Sequence, residues 1–503
     1  MSSLLQKTVG GAGWTIGWRA ATRGLGFLST LALARLLVPA DFGLVALAMS
    51  FSRAIDILAD LGVQDALIRI TAPSRNAYDT AFTVNAIRGL VTATTIAISA
   101  WPFAQVLGDP RLFQVVLALA AAMALDAFVN VGVADFRRDF AFRREFQLYI
   151  FPRIAQIVVT IGVAVIWANY WALVCGIVTG RVLSVAASYA MHPYRPRISL
   201  TAWREIVSFS TWTWLVGMAR MVRERGTVMM VGGLLNPTQL GIFAVGAELA
   251  TLPESELIGP LARACFPSFA AARRARTDVA QSYLRIVAST LVVATPASIG
   301  ISSIAAPLVM LAFGSKWQTA APIVAILGAA GAFTAITRIS TALLSAYNIL
   351  RPVFWNVVTT SVVQLALLFL FTRQWGIPGA ASAVGLALLL EQMGLAIRVF
   401  RRFEIGLGDL LARIWRGLAA SAAMAAFLVL SGVGWTAAGP SFRTATMQLL
   451  LSIAIGMAGY TGVLLGLWVL SGKPNGPEAD LLELGKRTVG HLRGLRARGA
   501  ALL

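Results

Sequence analysis

Stretches of about twenty mostly apolar residues, each long enough to cross a bilayer as a helix, follow one another from Gly11 to Leu470. Hydrocarbon offers no water to backbone N–H and C=O groups, so runs of this length fold as helices that satisfy those groups internally. About fourteen can be counted, at residues 11–37, 42–62, 78–106, 112–134, 148–167, 171–191, 206–234, 240–262, 284–313, 320–347, 353–371, 377–399, 418–437 and 447–470. The third, ninth and tenth are long enough to be tilted or kinked. The first is too long and too charged for the apolar region of a cleavable signal and is read as a retained helix. Charged residues make up 13% of the chain, about half the share in soluble domains. The expectation is an all-α polytopic membrane protein.

The net charge of +20 is nearly all arginine, scattered between the apolar runs, which excludes a nucleic-acid-binding domain and points to topology. One set of alternating loops carries the excess: Arg69 and Arg75; Arg137, Arg138, Arg143 and Arg144; Arg195, Arg197 and Arg204; Arg273, Arg274, Arg276 and Arg285; Arg351; and Arg401, Arg402, Arg413 and Arg416. The other set offers little beyond Arg111, Lys316, Arg373 and Arg443. The basic set marks the cytoplasmic side, which puts both termini inside. Residues 472–503, with Lys486, Arg487, Arg493, Arg496 and Arg498, form a basic tail, either solvated or a helix against anionic lipid. Two cysteines, Cys175 and Cys265, and two histidines, His192 and His491, suggest no disulfide framework, no metal site, no cofactor and no histidine-based triad.

Charges inside the spans carry the functional signal, because each costs about 2.5–3.5 kcal/mol or more at the bilayer centre unless it faces water, a partner or a cargo. Arg19 and Arg23 lie in the first span, Arg53, Asp56 and Asp60 in the second, Arg220, Arg223 and Glu224 in the seventh, and Glu248 in the eighth. At about 1.5 Å per residue they occupy one broad layer roughly 12–21 Å from the span ends. Spacings of three, four and seven residues align each set as a stripe on its helix. The expected product is a basic, water-filled cavity for an anionic cargo, since guanidinium groups bind phosphate through two parallel hydrogen bonds. Asp56, Asp60, Glu224 and Glu248 would balance charge or bind a coupling ion; internal pairing, such as Arg53 with Asp56 or Arg220 with Glu224, is the structural alternative. Trp14, Trp18, Trp212 and Trp214 offer rings for stacking on sugars, against the commoner reading as interfacial or packing residues. Glu254 and Glu256 follow Pro253 and mark a kink or a locally unwound stretch, while Glu391 and Arg338 are buried charges with no partner evident in sequence.

The segment from Leu36 to Leu44, LLVPADFGL, is echoed from Leu234 to Ile242 as LLNPTQLGI. Both copies join the first two spans of a six-span half, with proline stopping one helix and glycine near the start of the next. The echo implies two repeats of like orientation about an axis along the membrane normal. The expected division is an N-lobe at 1–200, a C-lobe at 201–403, two accessory spans at 404–471 and the tail at 472–503.

The run from Leu33 to Ala46 resembles the opening hairpin of the Wzx-type oligosaccharide flippases. So do Ala59-Asp60-Leu61-Gly62 with Ala66-Leu67-Ile68, and the basic stretch from Phe136 to Arg144. Trp171-Ala172-Leu173-Val174, Pro193-Tyr194-Arg195-Pro196-Arg197, Leu240-Gly241-Ile242-Phe243 and Phe266-Pro267 continue the order of motifs over roughly the first 400 residues. The resemblance implies the multidrug/oligosaccharidyl-lipid/polysaccharide exporter superfamily: two six-helix lobes around a central cavity, plus two C-terminal helices, with alternating access. It implies a bacterial inner-membrane flippase of undecaprenyl-pyrophosphate-linked oligosaccharide, not an enzyme, working among membrane lipids and alongside polysaccharide assembly machinery. By similarity to the lipid II flippase branch, Arg19, Arg23 and Arg53 are pyrophosphate-site candidates. Relatives often carry aspartate where Thr227 stands here, which puts a coupling role at that position in doubt. Two rivals remain: a cation-coupled multidrug exporter of the same superfamily, disfavoured by the arginines, and a membrane polymerase or glycosyltransferase, disfavoured by the short outer loops.

Overall fold

The computed structural model describes residues 22–479 apart from 23, 27, 59–66, 68–72, 139–140, 204–210, 276–277, 440 and 475. Among the described residues regular structure is helical throughout, with no strand. After an apolar stretch at Gly24–Leu36 the main helices are α1 (Pro39–Leu58), α2 (Arg75–Leu107), α3 (Arg111–Asp126), α4 (Phe142–Trp167), α5 (Trp171–Met191), α6 (Thr211–Leu234), α7 (Pro237–Ala250) and α8 (Gly259–Ala275). Then follow α9 (Val279–Ser303), α10 (Ala305–Phe313), α11 (Ala321–Ala330), α12 (Thr334–Ala346), α13 (Arg351–Arg402), α14 (Leu407–Leu430) and α15 (Phe442–Leu470). The chain separates into two compact units, 1–244 and 245–503.

Among the described residues eight helices are long and apolar enough to cross a membrane; the first run lies partly outside those residues, and several others take forms that the apolar pattern does not show. Helices α1 and α6 carry the charge stripes, with three charged residues on α1 and four on α6, and are not among the eight. The ninth run breaks at Ile304 into α9 and α10, and the tenth is interrupted by a tight 3-10 turn at Gly331–Phe333. Helix α13 holds two expected spans, joined where Gly376 takes a left-handed φ of 60°, a conformation glycine adopts without a Cβ penalty. The thirteenth run starts about ten residues earlier than its apolar residues suggest, because Asp409 accepts from the Gly406 N–H and caps α14. Its Arg416 is buried rather than in a loop: Nε and Nη2 hold both carboxylate oxygens of Glu478 at 2.9 and 3.1 Å.

Lipid supplies what the protein core does not. Ile98, Ile166, Leu430 and Leu470 are each more than 70% exposed, as acyl-facing side chains should be. Small residues bring helices together elsewhere: Gly176 and Gly180 of α5 pack on Thr160 and Gln156 of α4, and a Cβ on Gly176 would lie 1.7 Å from Thr160 Oγ1. In the N-terminal unit the loop after α5 is stapled to the start of α2. Asp79 accepts from the Tyr194 hydroxyl at 2.6 Å and the Arg197 N–H at 3.0 Å, and burial, then Asp79, pushes the Tyr194 phenol above its ordinary range. His192 contacts Asp135 through Nε2 at 3.3 Å while its Nδ1 accepts from the Tyr194 N–H. In the turn between α2 and α3, Arg111 grips Asp109 with two bonds of 3.0 and 2.7 Å and holds its carboxyl below the usual range.

Candidate functional site

Arg53 and Asp56, one turn apart on α1, approach each other at 3.4 Å through Nη1 and Oδ2. The other oxygen, Oδ1, takes Nη1 of Arg88 from α2 at 3.1 Å. Arg88 also donates to Asn85 Oδ1, and Asn85 Nδ2 donates to the Ala127 carbonyl at 3.3 Å. Next to this group Arg181 of α5 meets Asp126 of α3 at 2.6 Å, and Arg53 and Asp56 are near enough to act electrostatically on Asp126. Among the described residues three guanidinium groups (Arg53, Arg88, Arg181) thus face two carboxylates (Asp56, Asp126). Among the described residues the hydrogen bond of Arg53 is the long one to Asp56, and its side chain is 37% exposed. A guanidinium so placed on a membrane helix faces water, because lipid would not tolerate it.

Helix α6 runs beside α1 in the opposite sense. Leu47 fills the space over Gly232, and the Ser50 hydroxyl donates to the Arg225 carbonyl at 3.4 Å. Carried one turn further at about 1.5 Å per residue, that register sets Arg53 level with the stretch from Arg220 to Arg223. The sequence stripes on α1 and α6 therefore share one level of the helix pair. Arg220 and Arg223 are half-buried and Glu224 is exposed. Thr227 is buried, its hydroxyl donating to the Arg223 carbonyl.

The two echo turns meet each other. A Cβ on Gly43 would lie 1.6 Å from the Pro237 carbonyl oxygen, and a Cβ on Gly241 would lie 1.9 Å from the Pro39 carbonyl oxygen. The contact is reciprocal: each copy offers its proline carbonyl to the other copy's glycine. Only glycine permits backbones to approach so closely.

In the C-terminal unit Glu248 is exposed on α7. Glu254 opens a π-helical turn, Glu254–Ile258, between α7 and α8, so the stretch after Pro253 is a wide helical turn, neither a simple kink nor unwound chain. Arg338 of α12 binds Glu254 Oε1 through Nε at 2.8 Å and also through Nη2. Buried Glu391 accepts from Asn356 Nδ2 through its backbone carbonyl at 3.1 Å.

Of the candidates read from sequence, Arg53 and Asp56 come together, and Arg220, Arg223 and Glu224 share their level. Glu248 lies in the other unit, and Arg19, Arg23 and Asp60 lie outside the described residues. Sequence reasoning missed Arg88, Asp126 and Arg181, although each is a charge inside an apolar run. Among the described residues no group of histidine, cysteine, aspartate and glutamate could hold a metal ion.

The family model for polysaccharide biosynthesis proteins matches residues 32–322, more than half of the chain. The chain belongs to that family. It is 22% identical over 318 residues to the succinoglycan biosynthesis transport protein ExoT of Rhizobium meliloti (strain 1021), covering 63% of this chain and 64% of ExoT, just under two thirds of that protein's length. It is 21% identical over 337 residues to the lipopolysaccharide biosynthesis protein WzxC of Escherichia coli (strain K12), covering 65% of this chain and 68% of WzxC. Among solved structures it is similar to the lipid II flippase MurJ in an inward closed conformation, with a TM-score of 0.74 at 12% identity over 90% of this chain and 98% of that one. It is also similar to an inward-facing multidrug resistance MATE family transporter of the MOP superfamily, with a TM-score of 0.60 at 16% identity over 76% of this chain and 94% of that one. These likenesses show the fold, and the proteins that carry them are named as transporters and flippases, not enzymes.

Proposed function

We propose that this chain is an inner-membrane flippase that carries undecaprenyl-pyrophosphate-linked oligosaccharide units outward for a surface or exported polysaccharide. The observation that carries the reading is the guanidinium-rich cluster around Arg53: among the described residues it sets three arginines against two carboxylates, an arrangement that attracts an anion. Arg53, with Arg19, Arg23, Arg220 and Arg223, would take the pyrophosphate, whose paired oxygens suit the guanidinium fork. Asp56, Asp60, Glu224 and Glu248 would balance charge or bind a coupling ion. The lipid tail stays in the bilayer, the glycan crosses through water, and rocking of an N-lobe (1–200) against a C-lobe (201–403) switches access. In this reading both termini are cytoplasmic, the echo turns lie on the outer face, and residues 404–471 are accessory. Membership of a polysaccharide biosynthesis family and the names of its relatives support the cargo class and a place beside assembly machinery.

Deleting the gene tests the proposal. Lipid-linked repeat units should accumulate on the cytoplasmic leaflet, wild-type chain should clear them, and Arg53→Ala should not. Normal surface polysaccharide in a deletion strain that holds no second exporter overturns it. A drug exporter has the same fold available, and Glu248, Glu254 and Glu256 would give it carboxylates; the arginine excess counts against cationic cargo.

A further inference from the structure

The internal echo extends beyond its turns. Asp56 lies seventeen residues after Pro39, and Glu254 lies seventeen residues after Pro237. Each carboxylate holds an arginine from another helix of its own unit: Asp56 holds Arg88 at 3.1 Å, and Glu254 holds Arg338 through Nε at 2.8 Å. The two repeats thus place an acid–arginine pair at the same distance from equivalent prolines, although no spacing signal in the sequence links Arg88 with Arg338.

We propose that the Arg338–Glu254 pair is a second oxyanion-binding station, in the C-terminal unit, where an oxyanion of the cargo replaces Glu254 on the guanidinium. This rests on the flippase reading above. Three observations carry it. Arg338 lies eight residues from the end of α12, about 12 Å into a membrane-length helical segment, yet its side chain is 44% exposed. At that depth exposure means water. Both its bonds fall on one oxygen, Oε1, so the pair lacks the parallel two-oxygen geometry that Arg416 makes with Glu478. Among the described residues Nη1 has no hydrogen bond, and the fork is half used. Glu254 opens the π-helical turn, a widening frequent at functional sites. A two-oxygen anion would gain the parallel bonds that Glu254 does not make. Its source is either the pyrophosphate linker or a carboxylate-bearing sugar of the glycan.

The test uses the full chain in nanodiscs at low ionic strength, with inorganic pyrophosphate and a galacturonate trisaccharide as separate probes. Each probe is titrated by calorimetry into Arg53→Ala and into Arg53→Ala carrying a second substitution. Arg338→Ala should weaken one probe by about tenfold or more. Glu254→Gln should tighten the same probe several-fold, because it removes the resting competitor. Arg338→Lys, which keeps the charge and the fold but loses the fork, should fall between. The probe that responds identifies the source. A Glu254→Gln that weakens binding, or an Arg338→Lys equal to the Arg53→Ala parent for both probes, overturns the station. If Arg338→Ala and Arg338→Lys both restore polysaccharide export to the deletion strain while Arg53→Ala does not, the station fails and the flippase reading stands. If deletion leaves lipid-linked units unchanged, that reading fails first.

Discussion

Substituting either echo glycine should prevent the two turns from closing on each other. Ordinary contact begins at 3.4 Å, so a Cβ on Gly43, placed 1.6 Å from the Pro237 oxygen, requires the backbones to part by 3.4 − 1.6 = 1.8 Å. The same arithmetic for Gly241 and the Pro39 oxygen gives 3.4 − 1.9 = 1.5 Å. Both obstacles are backbone carbonyls and cannot rotate aside. Overpacking costs about 1–3 kcal/mol where side chains can adjust, and this contact belongs at the upper end. At about 1.4 kcal/mol per tenfold, the closed form would lose roughly a hundredfold in population against an open one. Spin labels at positions 40 and 238, with Cys175 and Cys265 replaced by serine, report the separation by electron–electron distance measurement. Gly43→Ala should lengthen the distance, Gly241→Ala should do the same, and the double variant should add little, because one parted contact relieves both. An unchanged distance distribution together with full export activity in Gly43→Ala would refute the reasoning.

Arg88→Ala should lower the melting temperature more than Arg53→Ala, since it strips Asp56 of its shorter bond at a half-buried site, at about 1–3 kcal/mol; Arg53→Ala should abolish export at near-normal stability, read by complementation alongside thermal unfolding. Gly176→Leu should separate α4 from α5 and cost about 1–3 kcal/mol or more, measured as detergent-phase melting, while substitution at Gly462, which has open space around it, should be neutral. Arg416→Ala should cost about 3–5 kcal/mol by leaving Glu478 buried and unpaired, and Arg416→Met with Glu478→Leu should recover most of the loss in the same melting assay.

The legible parts of this chain were those governed by local pattern. The run 171–191 matches α5 at both ends because nothing charged besides Arg181 interrupts it and a proline follows two residues later. The echo was legible as a repeat, and Arg53 with Asp56 as a stripe, because both are short-range spacings on one helix. The partners were not. Asp56 finds Arg88 thirty-two residues away, and Glu254 finds Arg338 eighty-four residues away; no periodicity connects residues whose meeting depends on how helices pack. For the same reason the proline and glycine of the echo advertised a turn but not that the two turns touch. The early start of α14 follows from the Asp409 cap, and the burial of Arg416 from its distant partner Glu478; hydropathy averages see neither.

The reciprocal glycine–proline contact ties two positions far apart in the chain to one constraint. Gly43 and Gly241 each lie against the other turn's proline carbonyl, so drift at either site damages the joint that both maintain.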